Sequence, residues 1–354
     1  MKAMILAAGM GERLRPLTNE TPKPLVPVAN RPLIEYNLQL LKTLGIKEVA
    51  INLHYLGDKI KAHLGYGQRF GLQISYSPEP VLLASGGGIR KMGSFFDGET
   101  VLVINGDILI DIDLKEVIRF HRDKDAFATL VLRPNRAPER YGTLKTDDTG
   151  RIRDFLGHVG TAAAGLHSWM FTGIHVLEPQ ALHALPARDR FCINRDVYPH
   201  WIRSGKKCFG FVHQGYWKDL GTLEDYFQAN MDLLENRGVT IPCEDGSKGR
   251  STDGASLEPP SLMGDGVSLG EKSRIGPRAI IGHRSQIGPG ARITNSIIWP
   301  DARIEPGEQI DGMIVTRYQR ISVSRHTPSS DGPQHEAESP SPLPGKTGSS
   351  PPGP

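Results

Sequence analysis

Short aliphatic runs at 2–8, 48–53, 72–77, 101–105 and 127–133 alternate with stretches whose apolar positions recur at helical spacing. In 32–44, Leu33, Ile34, Leu38, Leu41 and Leu44 share one helix face, and 113–123 and 222–236 are further helical stretches. Runs this short and this apolar predict buried strands. Their alternation with helices predicts an α/β fold, a doubly wound and mainly parallel sheet. Ligands of such sheets sit at the carboxyl ends of the strands. Gly9 and Gly11 follow the first run, and Asn105-Gly106-Asp107 follows the fourth, so both stand at such ends.

The period changes after the helix at 222–236. Residues 238–262 are rich in Gly, Ser, Asp and Pro and read as a linker. Beyond them Leu269, Ile275, Ile281, Ile287 and Ile293 recur every six residues, and after a one-residue slip Ile298, Ile304 and Ile310 continue the series. Small residues follow four positions later at Ser273, Ala279, Ser285, Ala291 and Ala302. A six-residue repeat with one inward aliphatic predicts a parallel β-helix over 263–316. The segment resembles the hexapeptide-repeat family, which implies a left-handed coil. Two to three coils are fewer than an independent solenoid prefers, so the segment is expected to pack on the first domain or on another subunit. From about 325 the chain is Pro, Ser and Gly with almost no aliphatics, and this tail, 325–354, is expected to be disordered.

Composition narrows the function classes. A net charge of +3 over 354 residues, with dispersed basic positions, argues against a nucleic-acid stripe. Cys192, Cys208 and Cys243 are too far apart for a metal site or a disulfide framework, and read as free thiols in a reducing cytoplasm. No apolar run approaches the roughly 20 residues of a membrane span. The start MKAMILAAG runs straight into the first strand, leaving no room for a signal peptide.

The chemistry concentrates in residues 6–24, LAAGMGERLRPLT followed by PKP. Glycines after a strand let the backbone turn sharply and expose N–H groups to an anion. Arg13 and Lys23 add full charges; Arg15 is either a third phosphate ligand or a surface charge. The segment lacks G-x-x-x-x-G-K-[ST], and Leu14 stands where a dinucleotide fingerprint needs its third glycine. The whole string G-x-G-x-R-L-x-P-L-T with P-K-P resembles the signature of the sugar-1-phosphate nucleotidyltransferases.

That resemblance, covering roughly 1–237 as a catalytic domain, implies a set of roles. Leu6, Ala8, Gly9, Gly11, Arg13, Glu79, Ser85 and Gly86 would bind the nucleotide. Glu79 would read the base edge, and a carboxylate, which only accepts, suits the imide N–H of uracil, thymine or guanine. Arg13 and Lys23 would act on the phosphates, and Asp107 and Asp219, the latter in YWKDLGT, would hold Mg²⁺. Gly142, Thr172, Gly173 and Asn194 would face the sugar phosphate. The chain departs from the family after GRIRDF, where Leu156-Gly157-His158 replaces a common Glu-Lys-Pro. With SGGGIR at 85–90, this is closer to uridylyltransferases acting on muramic-type sugar phosphates, whereas the hexapeptide segment resembles longer mannose-1-phosphate guanylyltransferases. The expected substrates are an NTP and a sugar 1-phosphate, with no nucleic acid or membrane partner and a homo-oligomeric chain. Two rivals are a non-catalytic regulatory paralogue and an acyltransferase using His283 as base. His121, His175 and His213 read as packing residues.

Overall fold

In the computed structural model of the protein, residues 1–159, 165–239 and 254–323 are described. The aliphatic runs become strands of one mixed sheet, nine-stranded among the described residues. In chain order these are β1 (Lys2–Leu6), β2 (Glu48–Leu53), β3 (Gln73–Pro78), β4 (Val101–Asn105), β5 (Ala128–Pro134), β6 (Leu144–Thr146), β7 (Ile152–Phe155), β8 (His167–Leu177) and β9 (Cys208–Val212). β3, β2, β1 and β4 lie side by side in parallel. β8 then runs antiparallel beside β4 through Ile174–Leu177 and beside β6 through His167–Trp169. β5 lies along the other edge of β8, with β9 parallel to it. The sheet therefore forks at β8, whose polar, half-exposed amino end hides it from a search for apolar runs.

Both faces of the sheet are covered, as continuous apolar strands require. Within β1, Ala3 and Ile5 join one buried cluster with Ile34, Leu38 and Leu41 of helix α1 (Leu33–Leu44), while Met4 joins the other with Ile89, Tyr198 and Trp201. α1 ends at Gly45 in the left-handed region (φ 88°), a glycine C-cap. α2 (Ala84–Lys91) follows β3, and Asp113 caps α3 (Leu114–Asp123) by accepting the Lys115 N–H at 2.8 Å. Thr222 caps α4 (Leu223–Leu234) in the same way.

The six-residue repeat winds into three parallel sheets that form the faces of a β-helix. Ile275 stacks on Ile293 and Ile293 on Ile310, and the second step is one residue shorter, as the slip in the repeat requires. The first rung, Ser256–Leu257, and the first two residues of the next, Ser261–Met263, lie inside the stretch read as linker, and two of the sheets stack four parallel rungs. The coil is thus longer than the two to three turns expected. Leu257 and Met263 keep the six-residue register, but Pro259-Pro260 interrupts it. A final strand, Arg320–Ser322, pairs antiparallel with Met313–Val315 and covers that sheet's edge.

Of the two expected packing partners, the coil sits on the first domain. Ile281, Ile298 and Val315 point inward, whereas their neighbours Ile280, Ile297 and Ile314 point out into a cluster with Leu17, Leu33, Tyr226 and Phe227. Trp299 Nε1 donates to the Tyr226 hydroxyl at 2.8 Å, which in turn donates to Pro27 O at 2.6 Å. Arg278 pairs with Glu235 across the same seam. His283 is engaged there too: Nδ1 accepts the Asp265 N–H at 2.9 Å and Nε2 faces Asn30 O at 3.2 Å. With both nitrogens occupied it is no general base, which removes the acyltransferase reading. Among the described residues no helix is long and apolar enough to cross a membrane. The tail 325–354, Cys243 and most of 238–262 lie outside the described residues.

Candidate functional site

The glycine-rich segment leaves β1 and passes through three single 3₁₀ turns, Glu12–Leu14, Leu17–Asn19 and Lys23–Leu25. Leu14 and Leu17 are buried beneath it and anchor it to the seam cluster. Gly11 is left-handed (φ 65°), and a Cβ there would lie 3.0 Å from Thr18 Cγ2. Thr18 Oγ1 donates to Gly11 O at 2.7 Å, and Tyr55 OH donates to Thr18 O at 3.0 Å. The loop is therefore braced from below while its upper side faces a cleft.

Two clefts, each of about 260 Å³, meet at the carboxyl ends of β1 and β4. The first is lined by Leu6, Ala8, Gly9, Lys23, Asn52, Ser85, Asn105 and Asp107. Arg13, Asn105, Asp107, Tyr141, Thr172, Gly173, Asn194, Trp217 and Asp219 line the second. Asn105 and Asp107 belong to both. Four of the eight residues expected at the nucleotide, Leu6, Ala8, Gly9 and Ser85, thus share one cleft, and three of the four expected at the sugar, Thr172, Gly173 and Asn194, share the other. Arg13 lies on the second side, its Nη1 close to Asp219. Gly11, Gly86 and Gly142 stand behind the walls. A Cβ on Gly86 would strike Phe191 Cε2 at 2.3 Å, and one on Gly142 would strike Leu156 Cδ2 at 2.3 Å. Arg15 is exposed and lines neither cleft.

Glu79, expected at the base edge, is turned away from the first cleft. Its side chain is buried, Oε1 accepting from Asn52 Nδ2 at 2.8 Å and Oε2 from the Leu83 N–H at 2.9 Å. A carboxylate beside two prolines has no sequence signal for burial; the two donors that hold it inside come from β2 and from its own loop.

The junction of the clefts carries the strongest charges. Lys23 is only 8% exposed, and its Nζ lies 2.8 Å from Asp107 Oδ2 and 3.6 Å from Asp219 Oδ1. A short antiparallel ladder brings the two carboxylates together: Asp219 stands opposite Ile108, and the Leu220 N–H donates to Asp107 O at 3.1 Å. Burial and the neighbouring Asp107 push the Asp219 carboxyl above the usual range, while Lys23, Arg140 and Arg13 pull it back. Arg140 Nη2 is 3.5 Å from Asp219 Oδ2 and also pairs with Asp225. A Cβ on Gly221 would meet Asp219 Oδ2, Arg140 Nη2 and Arg13 Nη1 at 2.8, 3.0 and 3.2 Å, so glycine alone leaves room for this cluster.

Three residues here escaped the sequence reading. Asn52 is the one polar residue in the buried run Val49–Leu53, and a buried amide must be satisfied, which was the available signal. Trp217, whose Nε1 donates to Thr172 O at 2.9 Å, stands in the YWKDLGT segment beside Asp219, which was its signal; Arg140 is distant in sequence and carried none. The histidines are packing groups: His121 sits between Thr129 and Glu178, His213 faces Tyr216 O, and burial holds His175 down to about 3 beside the Tyr198 hydroxyl.

The chain is similar to several known proteins. A uridylyltransferase for UTP and glucose 1-phosphate from Synechocystis is 34% identical over 342 residues, covering 90% of this chain and 88% of that protein. A mannose-1-phosphate guanylyltransferase from Mycobacterium tuberculosis is 32% identical over 325 residues, covering 91% and 81%. An N-acetylmuramate α-1-phosphate uridylyltransferase from Neisseria meningitidis is 36% identical over 228 residues, covering 63% and 94%. Residues 2–236, which contain both clefts and the whole braced loop, match the profile of a single family, and the chain belongs to the nucleotidyl transferases.

Proposed function

We propose that the chain transfers a nucleotidyl group from an NTP to a sugar 1-phosphate, releasing pyrophosphate and an NDP-sugar, with UTP as donor and an amino-sugar or muramic-type sugar phosphate as acceptor. The observation that carries the reading is the convergence of two clefts on Asp107, Asp219 and Lys23. One cleft takes the nucleotide and the other the sugar, so the attacking phosphate oxygen and the α-phosphorus meet at the charged junction. The sugar phosphate is the nucleophile and the protein's contribution is positioning and charge neutralisation. Lys23, held between two carboxylates, contacts the reacting phosphates, and Arg13 supports them from the second side.

Asp107 and Asp219 suit Mg²⁺: they present hard oxygen donors, and a divalent cation between them would relieve the mutual repulsion that pushes the Asp219 carboxyl up. Mg²⁺ takes one or two carboxylates together with substrate phosphates. Bound there, it supplies charge neutralisation at the triphosphate.

Asn194 Oδ1 is buried and has no hydrogen-bond partner among the described residues, an acceptor suited to a sugar hydroxyl or acetamido N–H. It stands on a π-helical turn, Ile193–Val197. Leu144, Phe155, Leu156 and Phe171 give the same cleft an apolar wall, which favours a sugar with a bulky substituent. With Glu79 turned inward, the preference for UTP rests on the two uridylyltransferase relatives. The guanylyltransferase relative, which also extends through the coil, makes GTP the second reading. The reading places the enzyme in the cytoplasm as a homo-oligomer, which sizing by light scattering checks.

The test is pyrophosphate release with Mg²⁺, crossing UTP, dTTP, GTP, CTP and ATP against the 1-phosphates of N-acetylmuramic acid, glucose, N-acetylglucosamine and mannose. Turnover with one pair establishes the reaction and both specificities. NTP binding without turnover favours the regulatory paralogue, and no NTP binding sinks the reading.

A further inference from the structure

We infer that Asn52 and Glu79 form a buried positioning pair that sets the shape of the nucleotide cleft, and that Glu79 acts through Asn52 and not on the base. The inference rests on the nucleotide-cleft reading above and deepens it. Three wall elements hang on these two side chains. Asn52 Oδ1 accepts the Ala7 N–H at 2.8 Å, fixing the backbone that leads from β1 into the glycine loop. Asn52 Nδ2 donates to Glu79 Oε1 at 2.8 Å. Glu79 Oε2 accepts the Leu83 N–H at 2.9 Å, fixing the turn that enters α2. A Cβ on Gly88 of α2 would come within 2.8 Å of Glu79 Oε1 and 2.9 Å of Asn52 Nδ2, so that helix is seated directly on the pair.

Both side chains are nearly inaccessible, Asn52 at 3% and Glu79 at 2% exposure. Buried polar groups in one chain of hydrogen bonds are costly to leave half satisfied, so they hold a single geometry. The donor and acceptor order is also strict. Two N–H donors, from Asn52 and Leu83, converge on the two carboxylate oxygens, and a third, from Ala7, converges on Asn52 Oδ1. A glutamine at position 79 has only one acceptor oxygen, so one donor must face another donor whichever way the two amides flip. Placing aspartate at position 52 and glutamine at position 79 together repairs the order. The introduced carboxylate then accepts from Ala7 and from the introduced amide, whose own oxygen accepts from Leu83. The charge count is unchanged.

The experiment titrates Mg·UTP and Mg·GTP by calorimetry into the full chain and its variants E79Q, N52D and N52D/E79Q, with melting temperatures alongside. E79Q is isosteric and N52D nearly so. E79Q sets donor against donor and N52D sets two carboxylates against each other; each single variant is expected to weaken the preferred nucleotide about tenfold to a hundredfold. The KM for the sugar phosphate stays within about twofold, because its cleft shares no residue with the pair. The double variant is expected to recover binding to within about threefold of the parent. A double variant as weak as E79Q, but melting like the parent, would show that the carboxylate at position 79 itself meets the base and overturn the inference. Single variants that melt lower yet bind as the parent does would reduce the pair to a structural tie and overturn it as well. A parent chain that binds neither nucleotide would instead sink the proposed function.

Discussion

Replacing Asp107 by asparagine removes one of the two carboxylates at the junction without changing its shape. Asp107 is 38% exposed, so its ion pair with Lys23 is screened by solvent and contributes at most about 1 kcal/mol to folding. Catalysis feels the same charge differently. A unit charge acting on another about 4 Å away, at an effective dielectric constant near 20, is worth about 4 kcal/mol. Asp107→Asn is therefore expected to lower kcat about a thousandfold while the melting temperature moves by no more than a few degrees. The assay is pyrophosphate release at saturating NTP and sugar phosphate, with KM values for both and a thermal melt on the same preparation. A kcat within about threefold of the parent, in a variant that melts normally, would refute the assignment of Asp107 to the reacting centre. A large loss confined to the KM for one substrate would make Asp107 a ground-state binding group instead.

Trp299→Ala removes an 8%-exposed indole and its hydrogen bond to Tyr226 from the seam, and should cost about 3–5 kcal/mol in urea unfolding; a cost below about 1 kcal/mol would show that the seam is not a packed core. Gly173→Ala forces a side chain into φ 94° and places a Cβ 2.7 Å from Asn105 Nδ2, which lines both clefts. It should cost at least about 1–2 kcal/mol and lower turnover, and unchanged turnover would separate Asn105 from the site. Burial keeps His175 neutral down to about pH 3, whereas the unfolded chain protonates it near pH 6.5. Between those values the unfolded state binds the extra proton, so this contribution is complete above pH 6.5 and is lost as the pH falls. From pH 7 to pH 5 the parent should lose about 2 kcal/mol more stability than His175→Gln, and equal losses would contradict a neutral buried ring.

The parts of the fold legible in the sequence are those with a strong local period. β1 to β5 show as aliphatic runs, α1 as a helical stripe, and the β-helix as a six-residue repeat whose one-residue slip reappears as one shortened turn. β8 was not legible, because its pairing with three different strands is a matter of distant partners and its own residues mix polar and apolar positions. The loop from Gly9 to Lys23 was recognisable because turn chemistry, charge and proline spacing occur together in one short segment. Glu79 shows the opposite case. Its chemistry suggested a base reader, yet whether a carboxylate faces a cleft or the interior depends on donors elsewhere, here the Asn52 amide.

Periodicity and local turn chemistry are short-range properties, and they were enough to specify a doubly wound sheet, a coil of parallel rungs, and the glycine-rich, basic loop that follows β1. The meeting of Asp107 with Asp219, the seat of Lys23 between them, the inward turn of Glu79 and the docking of the coil on α4 all join residues far apart in the chain. Such contacts depend on which buried surfaces and hydrogen-bond donors the folded chain brings opposite one another, and no local pattern encodes that.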